Sequence, residues 1–180
     1  MKQGILGLFL GMSALLAADA PANTSLAQQA DKQIASVEKE VVSLAEAMPA
    51  DKYDFAPTSG AFQGVRTFGL QMRHIALVND EIAAALLGEK MPDAGKNENG
   101  SDTLTGKTEI VKYLKESFAA LHKAMLAQEG KSFTEGINSP FGGKSPRGYL
   151  ANVPAWHCFD HYGQAVVYAR MNGVVPPASR

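Results

Sequence analysis

His157 and His161 stand four residues apart in a stretch that reads as helix. Both rings therefore leave one face of that helix, one turn above the other. Such a pair can chelate one divalent ion without backbone strain, and imidazole suits the zinc, nickel and copper class. The spacing alone also fits two surface histidines or a hydrogen-bonded core pair. His74 lies in a second apolar stretch, among Met72, Ile75 and Val78. Facing helices of a bundle converge their inward side chains on one point, which would bring His74 to the pair. The pair is flanked by Trp156, Phe159, Val166 and Val167. Read as buried, histidines in that setting need polar partners, and a metal is one. Three protein ligands leave a coordination position open, as catalytic sites do. His122 is also mid-helix; it reads better as a peripheral residue than as a fourth ligand or a donor behind the ligands.

The neighbours of the pair supply the remaining candidates. Cys158 is the single cysteine, so no internal disulfide forms. Adjacent helical residues point about 100° apart, so Cys158 should face away from both histidines and pack. Asp160 and Gln164 are the candidate catalytic helpers. Asp160 adjoins His161 and reads better as a solvent-facing charge or an arginine partner than as a catalytic group. Gln164, three beyond His161, could orient a ligand or hold the neighbouring helix. Tyr168 and Arg170 are explained by packing and by charge at a helix end, and Gly163 by close approach of another helix. A metal in an open three-histidine site would lower the pKa of a bound water or thiol and make a nucleophile near neutral pH.

Four helices must position these groups. Ile34, Val37, Val41 and Leu44 recur at spacings of three and four, so the first helix should run over 26–48, capped by Ser25 and ended by Pro49. Residues 48–60 form an ordered connector in which Tyr53-Asp54-Phe55 is structural. The second helix is expected over 62–87, with an irregular start at Gly64 and Gly69. Residues 89–106 are polar and small around Lys96-Asn97-Glu98-Asn99-Gly100, and read as a mobile surface loop without chemistry. The third helix is expected over 107–128. Residues 130–148 are too rich in Gly and Pro for helix or a central strand, and read as a lid or a plain crossover. The last helix should start at Tyr149 or Pro154 and run to Asn172. No internal repeat and no run of period-2 alternation appears, so the fold class is an all-α four-helix bundle.

Residues 1–22 fall outside that fold. Lys2 precedes a run from Ile5 to Ala18 that is almost wholly apolar. It is shorter than the ~20 residues a spanning helix needs and has the form of a signal peptide. Ala18-Asp19-Ala20 and Ala20-Pro21-Ala22 both offer a cleavage site, the second leaving Asn23 first. An uncleaved anchor is the alternative. The expected arrangement is a signal peptide over 1–22 and one domain over 23–180, periplasmic or secreted, with no membrane association after cleavage. The net charge is -1, with Lys+Arg 17 against Asp+Glu 18 and no basic run, which argues against a nucleic-acid partner.

The C-terminal stretch carries a resemblance. His157-Cys158-Phe159-Asp160-His161-Tyr162-Gly163-Gln164, then Val167-Tyr168-Ala169-Arg170-Met171-Asn172-Gly173 and Pro176-Pro177, resembles the closing signature of the DinB family. Met48-Pro49-Ala50-Asp51-Lys52-Tyr53-Asp54-Phe55-Ala56-Pro57 resembles the entry to that family's second helix, and His74-Ile75-Ala76 the position of its first histidine. The resemblance implies a DinB-like bundle ordered up-down-down-up. It also implies a divalent metal (zinc, nickel or manganese) on His74, His157 and His161, and leaves a homodimer open. Characterised members are thiol-dependent transferases and isomerases whose thiols are cytoplasmic, whereas this chain reads as exported. The functional expectation is a metal-dependent hydrolase or transferase acting on a small-molecule substrate, with a non-catalytic metal- or ligand-binding bundle as the alternative.

Overall fold

The computed structural model describes residues 24–92 and 98–180. The expected export segment lies outside the described residues. The first helix, α1 (Leu26–Ala47), opens on a reciprocal cap: Ser25 Oγ accepts from the Gln28 N–H, and Gln28 Oε1 accepts from the Ser25 N–H, both at 3.2 Å. Its buried stripe is Ala30, Ile34, Val37, Val41 and Leu44. Met48, ahead of Pro49, turns extended and ends it.

The second helix, α2 (Phe68–Leu87), begins six residues later than the spacing of its apolar side chains predicts. Gly60 and Gly64 have φ of +95° and +81°, a left-handed backbone that cannot continue a right-handed helix. Thr67 caps the true start, accepting from the Leu70 N–H at 3.2 Å. The connector before it is anchored through Tyr53, whose hydroxyl donates to the Ala45 carbonyl at 2.7 Å and whose ring meets Phe68 edge-on at 5.3 Å. A Cβ on Gly69 would sit 3.1 Å from the Tyr53 carbonyl oxygen, so only glycine lets the connector lie this close.

The third helix, α3 (Lys107–Leu126), matches its expected span to within two residues at the C-terminal end. Between it and the last helix, residues 130–148 do not form an irregular loop throughout. Strands β1 (Gly136–Asn138) and β2 (Lys144–Pro146) pair antiparallel, with Ile137 opposite Ser145. The turn is closed by Gly142 and Gly143, at φ of +94° and +65°. The hairpin packs where α2 ends, against Ala85 to Gly88. It is therefore a crossover at the end of the bundle, not a lid over the histidines.

The hairpin also explains why α4 (Arg147–Met171) starts earlier than expected and carries Pro154 inside it. The Arg147 and Gly148 N–H groups, which no helical carbonyl can satisfy, donate to Glu135 and Phe133 carbonyls, both at 2.8 Å. A first turn held this way tolerates the hydrogen bond that Pro154 cannot make.

Side-chain pairings fix the topology. Lys107 and His122 of α3 meet Glu46 and Asp31 of α1, so these two run antiparallel. Gly69 touches Ile110, and Gln128 donates to the Leu86 carbonyl, so α2 and α3 run parallel. Gln71 meets Gln164 and Asn79 meets Cys158, so α2 and α4 are antiparallel. The order is the expected up-down-down-up. The core runs through all four helices and includes Ile34, Met72, Ile75, Phe118, Leu121 and Leu150. Among the described residues, no helix is long and apolar enough to cross a membrane.

Candidate metal centre

The antiparallel crossing of α2 and α4 brings His74 between His157 and His161. The ring centroids lie 5.0 Å (His74 to His157), 4.7 Å (His74 to His161) and 4.6 Å (His157 to His161) apart. One nitrogen from each ring lies within 4.8 Å of the other two. His74 and His161 are only 9% and 7% exposed.

Hydrogen bonding at the back of two rings decides which nitrogen faces the centre. His74 Nδ1 lies 2.5 Å from the Glu98 carbonyl oxygen. A carbonyl only accepts, so Nδ1 carries the proton and Nε2 keeps its lone pair. His161 Nδ1 lies 2.5 Å from Gln71 Oε1, with the same consequence. His157 Nε2 sits 3.1 Å from His74 Nε2. Among the described residues, the buried His157 Nδ1 has no hydrogen-bond partner. Between His74 and His157, then, either two lone pairs face each other or His157 gives its only proton to His74 and leaves Nδ1 bare. A shared cation at the Nε2 atoms removes the first conflict and defines the orientation of His157. Two imidazoles on a tetrahedral zinc, each at ~2.0–2.1 Å, place their nitrogens about 3.3 Å apart, close to the spacing seen.

The electrostatics agree. Burial, reinforced by His161, His74 and Arg66, pushes His157 down to about 3. Burial, His74 and Arg66 push His161 down to about 4 against the opposing pull of Asp160. His74 is also lowered, chiefly by burial, although the Glu98 carbonyl pulls the other way. All three are neutral at pH 7, the form that ligates.

The other candidates separate cleanly. Cys158 is fully buried and turned from the pair; its thiol lies 3.5 Å from Asn79 Oδ1, and burial pushes it up to about 12, so it packs as expected. His122 belongs to the α1–α3 seam, with Nδ1 2.6 Å from Asp31 and Nε2 3.1 Å from Glu38, and is not a ligand. Asp160 and Gln164 do not reach the donor nitrogens. Gln164 Oε1 accepts from Gln71 Nε2 at 3.1 Å, and Gln164 Nε2 donates to Asp160 at 3.2 Å, which places both behind the Nδ1 side of His161. Tyr168 packs edge-on against Phe55, and Arg170 donates to Ser179. Gly163 is exposed, and among the described residues no atom of another element lies within 4 Å of a Cβ placed on it, so it does not serve helix approach.

Four contributors were not expected. Gln71 lies three before His74 on α2, a spacing that could have flagged it. Glu98 acts through its carbonyl oxygen, which no residue type announces. Arg66 donates to Asn99 Oδ1 at 2.6 Å and to Glu98 at 2.9 Å, fastening that segment. Arg73 adds bonds to the Gly100 carbonyl and to Asp102, both at 3.1 Å. Residues 98–102 are thus tied to α2 and orient a site histidine, contrary to the expectation of a loop without chemistry.

Sequence comparison places residues 33–165 in a match to the DinB superfamily. No curated protein matches the chain. Among solved structures, a DinB-like protein from Bacillus cereus ATCC 10987 superposes with a TM-score of 0.63 at 17% identity, covering 81% of this chain and 92% of that one. A mycothiol-dependent maleylpyruvate isomerase superposes with a TM-score of 0.58 at 12% identity, covering 77% of this chain and 60% of that one. At these identities the likeness is one of fold.

Proposed function

We propose that this chain, which belongs to the DinB superfamily, binds a divalent metal through His74, His157 and His161 and uses it on a small molecule outside the cytoplasm. The observation that carries this reading is the convergence of three neutral imidazoles whose proton-bearing or buried Nδ1 atoms leave the Nε2 atoms as donors. Zinc, nickel and manganese are the candidate ions. When bound, such an ion acidifies a water or thiol in the position the protein leaves open.

The chain's own residues prepare that position. The Glu98 carbonyl and the Gln71 amide hold two rings in one tautomer before any ion arrives. Burial keeps the rings from competing protons. Arg66, fastened to Glu98 and Asn99, lowers the His157 and His161 pKa further by its positive charge, while the same charge opposes a bound cation. The reaction class is hydrolysis or group transfer. A thiol cosubstrate is the property of the isomerase with the similar fold; an exported protein would meet other nucleophiles, water first.

The test is turnover on a panel of ester, amide and thiol-transfer substrates, measured before and after chelation and again after reloading. Activity that chelation abolishes and one ion restores supports the reading. Activity indifferent to chelation overturns it.

A further inference from the structure

Asp160 touches no ligand atom of the centre, yet it terminates a continuous line of hydrogen bonds that begins at His161. The line runs from His161 Nδ1 to Gln71 Oε1 (2.5 Å), from Gln71 Nε2 to Gln164 Oε1 (3.1 Å), and from Gln164 Nε2 to Asp160 Oδ2 (3.2 Å). Each glutamine amide has one donor end and one acceptor end. Two amides in series can therefore be read in either direction, and nothing in the amides themselves chooses. The ends of the line choose.

An ionised carboxylate only accepts. Gln164 must therefore turn its NH2 toward Asp160, which presents its oxygen to Gln71. Gln71 must then turn its NH2 toward Gln164, which presents its oxygen to His161. His161 is left with one option, to donate from Nδ1, and its lone pair falls on Nε2. Turned the other way, Gln71 would donate to His161 Nδ1, the proton would move to Nε2, and the ring could not ligate through the nitrogen that faces His74 and His157.

We infer that Asp160 is a positioning residue: through Gln164 and Gln71 it sets the tautomer of His161 and thereby readies its Nε2 for the metal. The part concerning affinity rests on the metal-binding reading above; the part concerning the tautomer does not. Asp160 and Gln164 are exposed on α4, whereas Gln71 is 2% exposed. The direction of a buried amide is thus fixed from the surface. Glu98 does the equivalent for His74 with a backbone carbonyl, which cannot be reversed; only the His161 arm depends on a side chain at its far end.

The test uses the 15N-labelled full chain, free of metal, with the His161 ring nitrogens read by NMR at neutral pH. The wild type shows the proton on Nδ1. In Asp160→Asn, whose amide can donate or accept, the line is readable both ways and the Nε2-protonated form becomes populated. Asp160→Glu, which keeps an acceptor-only end, restores the wild-type pattern. Zinc affinity by chelator competition falls about tenfold in Asp160→Asn, the lower end of what losing support behind a ligand costs, and recovers in Asp160→Glu. A His161 tautomer unchanged in Asp160→Asn overturns the inference, as does a shift that Asp160→Glu fails to reverse. If no protein in the series binds zinc, the tautomer measurement still decides the inference while the metal reading falls by itself.

Discussion

The bare Nδ1 of His157 makes a prediction that runs against intuition for a site residue. Replacing His157 with leucine, which has a similar volume, should stabilise the metal-free protein. A buried polar atom without a partner costs about 1–3 kcal/mol, and among the described residues His157 Nδ1 is such an atom. The variant also gives up the 3.1 Å contact with His74 Nε2. With the two Nε2 lone pairs facing each other, as in a site built to share a cation, that contact is no hydrogen bond and its loss costs little. The net gain is then on the order of 1 kcal/mol, or roughly 2–4 °C in Tm for a chain of this size. Zinc should reverse the ranking. At a free concentration one hundred times Kd it adds about 2.7 kcal/mol to the wild type, and little to a variant that has lost a ligand. Thermal unfolding of both proteins, with chelator and with zinc, measures all four states. A metal-free His157→Leu protein less stable than the metal-free wild type would refute the reasoning, because His157 would then be a satisfied packing residue.

Two glycines that look alike in sequence should behave oppositely. Gly163→Ala, mid-helix and open on its Cβ side, should stabilise by about 0.5–1 kcal/mol. Gly69→Ala should destabilise, because its Cβ would press on the Tyr53 carbonyl and ring at 3.1 and 3.2 Å; denaturant midpoints of the two variants check the pair. The ion pairs of His122 should show in the pH dependence of stability. Burial lowers its pKa, but the hydrogen bonds and charges of Asp31 and Glu38 outweigh it, so the folded pKa is raised above the unfolded value of about 6.5. The stabilisation is therefore complete below about pH 6.5 and lost as pH rises through the higher folded pKa. His122→Gln should cost on the order of 1 kcal/mol at pH 5.5 and much less at pH 9, after allowance for solvent screening of this partly exposed pair; a difference independent of pH would show that the pairs carry no charge.

How far each element shows in the sequence depends on its physical setting. The bundle was legible because α1 and α3 present clean apolar stripes at spacings of three and four. The start of α2 was not, because apolar spacing continues through Val65 while the backbone at Gly64 is left-handed. Pro154 looked like a first-turn proline, and only the hairpin carbonyls that satisfy Arg147 and Gly148 reveal that the helix is already under way. The hairpin strands are three residues each, too short to show alternation. The three histidines were legible from their spacing and from the DinB resemblance, but not from their aromatic neighbours. Trp156 and Phe159 are 49% and 47% exposed, so they do not bury the pair. Burial comes from α2, whose residues from Gln71 to Asn79 are enclosed. The groups behind the rings were the least legible, since one is a backbone carbonyl and another a glutamine distinguished only by its place one turn before His74.

Whether these three histidines hold an ion decides between a metalloprotein and a bundle that only packs. The most direct measurement is elemental analysis of the purified full chain after mild dialysis, beside a His157→Ala, His161→Ala double variant. Close to one equivalent of a divalent metal in the wild type and none in the variant is the predicted result. No metal in either, after reloading with zinc, nickel or manganese, would contradict the account and leave a bundle whose histidines only pack.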